Sequence, residues 1–190
     1  MFARIETVAF QGVEVTPIDV QVQISPGLPN FIIVGLADKA VGESKERVRA
    51  ALNALALALP SKRITVNLAP ADVQKEGSHY DLPIALGLLV SMGVIPQDAI
   101  QDFVALGELG LDGAIAPVSG VLPAAIHAAS KGKGLICPEA CGGEAAWGGD
   151  LNIVAPNHLL SLINHFKGTQ VLSPPTPELQ DTSHLSQLDM

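Results

Sequence analysis

Aromatic side chains are scarce in this 190-residue chain, since Phe, Trp and Tyr together make up 4% of it. Apolar residues nevertheless account for 48%, so a hydrophobic core has to be built from Ala, Val, Leu and Ile. Cores of that kind are common where helices pack against sheets. The length is sufficient for one domain with a substantial core.

Basic residues and long hydrophobic runs are also in short supply. The 11 Lys and Arg residues against 19 Asp and Glu give a net charge of -8, which disfavours non-specific binding to DNA or anionic membranes. The longest apolar run, Leu82 to Val90, is far shorter than the roughly 20 residues of a membrane span. Arg4 and Glu6 interrupt any secretory signal at the N-terminus. We therefore expect a cytoplasmic protein with no membrane partner.

Two further absences concern metal and nucleotide sites. Cys137 and Cys141 are the two cysteines, and a C-x3-C pair does not complete a zinc site, which usually needs four ligands. We expect them to be small, partly buried side chains around a turn. The motif G-x-x-x-x-G-K-[ST] does not occur, so the sequence contains no phosphate-binding loop of that type.

Apolar periodicity predicts alternating strands and helices, and hence an α/β fold. Helices are expected to begin at the caps Asp38, Asp81 and Pro156-Asn157. The first two strands should form an antiparallel hairpin, and Asp112-Gly113 should turn a second one. The predicted strands span 4–10, 13–24, 31–34, 64–68, 103–106, 114–116, 135–137 and 152–154, and the predicted helices span 38–59, 82–90, 121–130, 138–147 and 159–166.

One stretch dominates the functional reading, because a strand, a polar loop and a buried helix follow one another from Ile64 to Val90. Val73 to His79 should be a surface loop, and Asp81 should cap the helix after it. The N-terminus of such a helix offers backbone N–H groups for anion binding or catalysis. The candidate functional loop consists of Lys75, Glu76, Gly77, Ser78, His79 and Asp81.

A cluster of basic residues forms a second candidate site. On the predicted helix after Asp38 it could be a solvated face with Glu43 and Glu46 as partners. The functional alternative is a contact surface for a neighbouring subunit or for nucleic acid. The candidate contact surface consists of Lys39, Lys45, Arg47, Arg49, Lys62 and Arg63.

Two groups of sequence segments carry a family resemblance. The first comprises GLPNFIIVGLADKAV, ESKERVRAALNAL, ITVNLAPAD and KEGSHYDLPIALGLL, and the second comprises LGELGLDGAIAPVSGVLPAA with the later LICP. Together they resemble the N-terminal domain of the Mg-chelatase-like AAA+ ATPases, the group that includes the competence protein ComM. The resemblance covers about residues 1–168; Gly42 departs from the Arg expected after Val41, and His79-Tyr80 is a variable spot.

The resemblance implies a ribosomal S5 domain 2-like fold, an α+β sandwich similar to the Lon protease proteolytic domain. Residues 1–168 would form this domain, and residues 169–190, with their Pro-rich start, would be a flexible linker toward a missing AAA+ module. ATP and Mg²⁺ would bind in that module and not here. The implied partners are the AAA+ module, the neighbours in a hexameric ring and, through the parent protein, DNA, on which ComM-type proteins act as branch-migration motors in natural transformation.

The Lon likeness raises the question of peptidase activity, which needs a Ser nucleophile and a neutral Lys. Against the Lon motif K-D-G-P-S-A-G, the stretch Lys75–Asp81 has His79 in the nucleophile position and Ser78 one position early. Leu122 occupies the position of the Lon lysine. We therefore expect a non-catalytic interaction and assembly domain. Two alternatives remain: a serine peptidase in which Ser78 pairs with His79 or Lys75, and a direct DNA-binding module.

Overall fold

The computed structural model describes residues 2–12 and 14–177. The strands are β1 (Phe2–Gln11), β2 (Glu14–Ser25), β3 (Asn30–Val34), β4 (Arg63–Ala69), β5 (Phe103–Ala105), β6 (Glu108–Leu109), β7 (Ile115–Ala116), β8 (Gly134–Ile136) and β9 (Ile153–Val154). The helices are α1 (Lys39–Gly42), α2 (Ser44–Ala54), α3 (Asp81–Ser91), α4 (Gln97–Ile100), α5 (Val121–Ser130), α6 (Gly142–Ala145) and α7 (Leu159–Lys167).

Seven of these strands form one sheet in the order β3-β4-β2-β1-β5-β8-β9, while β6 and β7 form a separate hairpin. β2 runs antiparallel to its neighbours β1 and β4, and the other neighbouring pairs of the large sheet are parallel. The molecule is therefore an α/β fold, as predicted, and the structure shows that its sheet is mostly parallel. The first hairpin is confirmed with the register Phe2↔Gln23 to Gln11↔Glu14, and the second with Glu108↔Ala116.

The two faces of the sheet have separate apolar cores. On one face, side chains such as Ile5, Val20 and Val66 pack with residues of α2, α3 and α7. On the other face, α5 and its neighbours cover β5, β8 and the C-terminal half of β1, where Val8 and Val104 are buried. This division follows from strand alternation, because successive side chains point to opposite faces.

The second face is polar and partly open over β2, β4 and the start of β1. A ladder of side chains crosses these strands: Arg4 donates to Asp19 at 2.7 Å, Gln21 donates to Asp19 at 2.8 Å, and Asn67 donates to Gln21 at 3.0 Å. Antiparallel parts of a sheet tolerate such a solvated face. The uncovered region ends at β3, which forms an edge of the sheet.

Helix α3 is buried along its whole length, as its apolar sequence predicts. Gly87 lies so close to the sheet that an added Cβ would overlap the side chain of Val22. The absence of a side chain at Gly87 therefore allows the close packing of α3 against β1 and β2.

The prediction of one helix from Asp38 to about Leu59 was wrong. Asp38 does cap α1, since its carboxylate accepts the Val41 N–H at 2.8 Å, but α1 ends at Gly42 and α2 ends at Ala54. The end of α2 is a Schellman motif: the Leu57 N–H donates to the Leu52 carbonyl and the Ala56 N–H to the Asn53 carbonyl. Ala56 has φ +59, a conformation for which glycine is the usual signal.

Two other helix predictions differ from the structure. The segment 138–147 is not one helix, because it consists of the 3-10 turn Glu139–Cys141, α6, and the start of a second 3-10 turn, Ala146–Gly148. The cap of α7 is His158, not Pro156-Asn157, since the His158 Nδ1 accepts the Leu160 N–H at 3.1 Å. The Asn157 carbonyl instead accepts the Ile115 N–H at 3.0 Å.

The segment after α7 contacts the body of the domain as far as Pro175. Leu172 packs against the main core, and its N–H donates to His165 Nδ1 at 3.0 Å. Pro175 lies against Gly142. Residues 178–190 of the predicted linker lie outside the described residues, and the division at residue 168 stays a prediction.

Candidate functional site

Asp81 is the last residue of the candidate functional loop. The sequence predicts that it caps α3, and this prediction was wrong. Its side chain is fully buried and makes no capping bond to the helix. Instead, Arg47 reaches both carboxylate oxygens, at 2.6 Å from Nε and 3.1 Å from the second guanidinium nitrogen. The Ser44 hydroxyl donates at 2.5 Å and the Leu109 N–H at 3.0 Å. Asp81 therefore joins α2, α3 and the β6–β7 hairpin.

The electrostatics of this cluster are those of a largely buried ion pair. Burial raises the pKa of the Asp81 carboxyl, and the hydrogen bonds from Arg47, Ser44 and the Leu109 N–H oppose that rise. The hydrogen bond to Asp81 raises the pKa of Arg47, whose side chain is 23% exposed. A carboxylate held by four donors is committed to structure and is not poised to exchange a proton.

His79 is buried, contrary to the prediction of a surface loop. Its Nε2 lies 2.6 Å from the Val8 carbonyl, so that nitrogen must carry a proton that it donates to β1. The imidazole also stacks near Phe10, with 5.3 Å between ring centroids, and near Tyr80, at 4.2 Å. Burial lowers the pKa of His79, while the bond to Val8 opposes this shift.

Lys75 is also buried, like His79 and Asp81. Its Nζ donates to the Pro70 carbonyl, and its backbone bridges to Ala37 beyond the end of β3. Burial lowers the pKa of Lys75, and the carboxylate of Asp72 opposes this. Glu76 is exposed, and Gly77 and Ser78 are half-buried, so only part of the segment fits the predicted surface loop.

The backbone at the start of α3 does not present the predicted donors. The Leu82 N–H donates to the Gly107 carbonyl at 3.0 Å, the Asp81 N–H to the Ser78 carbonyl at 3.2 Å, and Pro83 has no N–H. Gly107 in turn donates to the His79 carbonyl at 3.0 Å. The N–H groups of Leu82 and Asp81, which an anion or an oxyanion would need, are therefore already bonded to the carbonyls of Gly107 and Ser78.

The structure does not assemble the alternative serine dyads. Among the described residues, the Ser78 hydroxyl makes no hydrogen bond to His79 or to Lys75, and the His79 Nε2 and the Lys75 Nζ bond to the carbonyls of Val8 and Pro70. Adjacent side chains rarely point at each other, and here both bases point to other parts of the chain. A hydroxyl without a base is a weak nucleophile.

The two segments matched to the Lon dyad do lie near each other. An added Cβ at Gly120 would overlap the Phe10 ring, and that ring packs beside His79. Phe10 therefore lies between the loop of His79 and the start of α5, where Leu122 is found. The Leu122 N–H donates to Glu144 at 2.9 Å, while its side chain has no group that could take up a proton.

Tyr80 is a residue that sequence reasoning missed. Its side chain is fully buried, and its hydroxyl has no hydrogen-bond partner among the described residues. Burial raises its pKa strongly. The only sequence signal for this position was an aromatic residue beside a buried helix, which does not distinguish a core side chain from a functional one.

Part of the predicted basic surface comes together in a groove of about 480 Å³ between α2, the segment 58–62 and the start of β3. Lys45, Arg49 and Lys62 line it together with Glu46 and polar or apolar neighbours. Arg49 lies 3.4 Å from Glu46 and 5.9 Å from the centroid of the Phe31 ring. The volume lies within the usual range of ligand pockets.

The remaining basic candidates do not share this groove. Arg47 pairs with Asp81, so its assignment to a solvated face was wrong. Lys39 and Arg63 are exposed outside the groove lining. The predicted surface of six residues is thus divided, and three of them face one cavity.

Residues 2–12 and 14–177 contain neither a candidate metal cluster nor a membrane-spanning helix. No group of three or more His, Cys, Asp or Glu side chains in this part could hold a metal ion. Cys137 and Cys141 are free and buried, and burial raises the pKa of Cys137 to about 12. Within the same residues, every helix is too short or too polar to cross a membrane.

Comparisons with known proteins agree on one family. The family model described as subunit ChlI of Mg-chelatase matches residues 20–141. Competence protein ComM of Haemophilus influenzae is 38% identical over 164 residues, which is 86% of this chain and 32% of ComM.

Two further relatives have similar coverage. The protein YifB of Escherichia coli is 36% identical over 173 residues, 91% of this chain and 34% of YifB. The protein Rv2897c of Mycobacterium tuberculosis is 39% identical over 129 residues, 68% of this chain and 26% of that protein. The chain therefore spans about a third of the length of these relatives or less.

Proposed function

We propose that this chain, which belongs to the Mg-chelatase-like family of ComM-type proteins, is the non-catalytic N-terminal interaction domain of a longer AAA+ ATPase. The parent would bind ATP and Mg²⁺ outside these residues, form a hexameric ring in the cytoplasm and act on DNA as a branch-migration motor. This domain would help neighbouring subunits to assemble. The short share of each relative that the chain matches supports such a division of labour.

The observation that carries the non-catalytic part is the bond between His79 and the Val8 carbonyl, 2.6 Å long. In the position of a Lon nucleophile, this chain has a buried imidazole that ties the loop to β1. The loop thus serves as a connection between the sheet and α3. The nearness of His79 to the start of α5 also supports our proposal of a Lon-like, S5 domain 2-like fold.

A fluorophosphonate probe tests the absence of a reactive serine. We expect no labelling of the folded chain, because Ser78 has no base within bonding distance among the described residues. The Ser78→Ala variant is the matched control. Labelling that disappears in Ser78→Ala would show an active serine hydrolase and refute the proposal.

The assembly role is tested on the full-length parent protein. We expect that removal of residues 1–168 weakens ATP-dependent ring formation, measured by light scattering after size-exclusion chromatography. ATP binding by the remaining module is the control for its folding. If the truncated protein binds ATP and forms rings as well as the complete protein, this domain has no part in assembly.

A second candidate function is direct binding of nucleic acid in the groove of Lys45, Arg49 and Lys62. The convergence of three cations on one cavity favours it, although the net charge of -8 opposes it. Binding by phosphate contacts would weaken steeply as salt rises. Fluorescence anisotropy with single-stranded and branched DNA measures this directly.

The variants Lys45→Glu and Lys62→Glu test whether the groove binds DNA. The control is Lys131→Glu, because Lys131 is exposed and lies outside the groove. We expect the two groove variants to abolish salt-sensitive binding and the control to keep it. Arg47 is unsuitable for such a test, since its replacement would also leave Asp81 without its charged partner. If the unmodified chain shows no binding at low salt, this candidate fails.

A further inference from the structure

The strand β3 forms a free edge of the sheet and contains no charged residue. β3 ends the seven-stranded sheet, and no described residue pairs with its outer side. Between Asp19 and Asp38 the chain has no Lys, Arg, Asp or Glu. Natural edge strands are usually protected by charges, prolines or bulges, and none of these occurs in Asn30–Val34.

Large apolar side chains surround this edge. Leu28 is 88% exposed, Val34 is 44% exposed and Leu36 is 56% exposed. Leu36 also has φ +56, a left-handed backbone conformation that is strained for a leucine. The chain thus holds a strained, exposed apolar residue just beyond the end of an edge strand.

The hydrogen bonds of β3 show which backbone groups are available. The Asn30 N–H donates toward β4, to the Lys62 carbonyl at 3.4 Å. Because backbone groups alternate along a strand, those of Asn30, Ile32 and Val34 face β4, and those of Phe31 and Ile33 face outward. The outer edge therefore offers two complete donor–acceptor pairs to another strand.

We propose that this edge binds the same edge of a second copy of the chain, in an antiparallel pairing centred on Ile32. In that register Phe31 of one copy lies opposite Ile33 of the other, and each such pair exchanges two hydrogen bonds. Leu28 of one copy then lies opposite Leu36 of the other. The exposed apolar side chains at the two ends of β3 cover one another.

The charge distribution is the argument for a second copy over an unrelated partner. A chain of net charge -8 repels its own copies, and this edge is a region where two copies meet without like charges from the paired strands. The pattern is also self-complementary, because the apolar residues at both ends lie at equal distances from Ile32. A stable interface buries about 1,200–2,000 Å², so a single strand pair should give a weak, concentration-dependent dimer.

Sedimentation velocity over a range of protein concentrations tests the pairing. We expect the 190-residue chain to shift from monomer to dimer with concentration, and the shift to persist at high salt, since no ion pair is involved. Val34→Lys should abolish the dimer by placing two charges at the edge. Leu160→Lys is the matched control, because Leu160 is similarly exposed but lies on α7.

Disulfide trapping tests the register itself. Ile32 would face Ile32 of the other copy in a non-hydrogen-bonded pair, with Cβ atoms about 4.5–5.5 Å apart, so Ile32→Cys should form a covalent dimer under mild oxidation. Val34→Cys should not, because the two introduced thiols would be about 13 Å apart along the strands. The native Cys137 and Cys141 are buried.

Two results would overturn the proposal. One is a chain that remains monomeric at all concentrations, which would leave the edge to another partner. The other is equal cross-linking of the Ile32→Cys and Val34→Cys variants, which would indicate random collision. Neither result bears on the proposed ATPase assignment.

Discussion

At the scale of single residues, Asp81 and His79 connect elements that are distant in sequence. Asp81 joins Ser44 and Arg47 of α2 to the Leu109 N–H, and His79 joins the loop to Val8 of β1. Both side chains are buried. Their chemistry is therefore used to position α3, which predicts that they contribute to stability.

The first prediction concerns the ion pair of Asp81. We expect Asp81→Asn to lower the free energy of unfolding by about 3 kcal/mol, because it leaves the Arg47 charge without its partner in a largely buried site. Asp19→Asn should cost much less, because its partner Arg4 is 65% exposed and solvent screens that pair. Urea denaturation measures both variants.

The Asp81 result has an internal check. Adding Arg47→Met to Asp81→Asn should recover part of the lost stability, since it removes the unpaired charge. Equal losses in Asp81→Asn and Asp19→Asn would contradict the role given to this ion pair.

The second prediction concerns pH. Burial lowers the pKa of His79 in the folded chain below about 6.5, so the unfolded chain binds more protons in this range. The free energy of unfolding should therefore be fully retained above about pH 6.5 and should decrease as the pH falls below that value. Urea denaturation between pH 7 and 5 measures the slope.

The His79→Gln variant separates this residue from other histidines. Burial also lowers the pKa of His165, so some pH dependence should remain in the variant. The slope should nevertheless be smaller than in the unmodified chain. An unchanged slope would mean that His79 does not titrate as its burial requires.

At the scale of elements, the position of α3 depends on close contact with the sheet. The helix is buried on all sides, so its packing tolerates little added volume. Gly87 faces Val22 of β2. A side chain at position 87 would therefore push α3 away from the sheet.

The third prediction tests this contact. Gly87→Ala should destabilise the domain by about 1–3 kcal/mol, because overpacking outweighs the higher helix propensity of alanine. Gly42→Ala is the control, since an added Cβ on Gly42 meets nothing within 4 Å and should be neutral or stabilising. If Gly87→Ala is as stable as Gly42→Ala by thermal denaturation, the close contact is not required.

At the scale of the whole molecule, the segment after α7 belongs to the packed body at least as far as Pro175. Leu172 contacts the main core and its N–H donates to His165, while Pro175 lies against Gly142. These contacts lie beyond the predicted boundary at residue 168. From these contacts we expect residues 169–177 to contribute to the stability of the domain.

The fourth prediction compares two truncated chains. A chain ending at residue 168 should have a lower melting temperature than one ending at residue 177, because it loses the packing of Leu172, worth about 1–2 kcal/mol for a half-buried leucine. A Leu172→Ala substitution in the longer chain should produce much of the same loss. Identical melting temperatures for both truncations would show that residues 169–177 add nothing to the fold.

Local signals predicted most of the elements in this protein. Strand alternation predicted β1, β2 and β4, and Asp38 and Asp112-Gly113 carried their expected cap and turn. Among the described helices, α2, α3, α5 and α7 all end in Schellman motifs, and these ends show the limit of local signals. Gly168 ends α7 as its residue type indicates, whereas the end of α2 was missed because Ala56 adopts the positive φ.

The sequence alone determined the alternating elements, the family and the lack of a serine and lysine at the matched positions, because each depends on residue type and order. Tertiary structure decided that Asp81 binds Arg47 instead of capping α3, that His79 and Lys75 are buried, and that three basic residues share a groove. The physical reason is that burial and partner choice depend on which segments meet in space. A carboxylate has the same local sequence whether its donors come from its own helix or from residues 34 positions away.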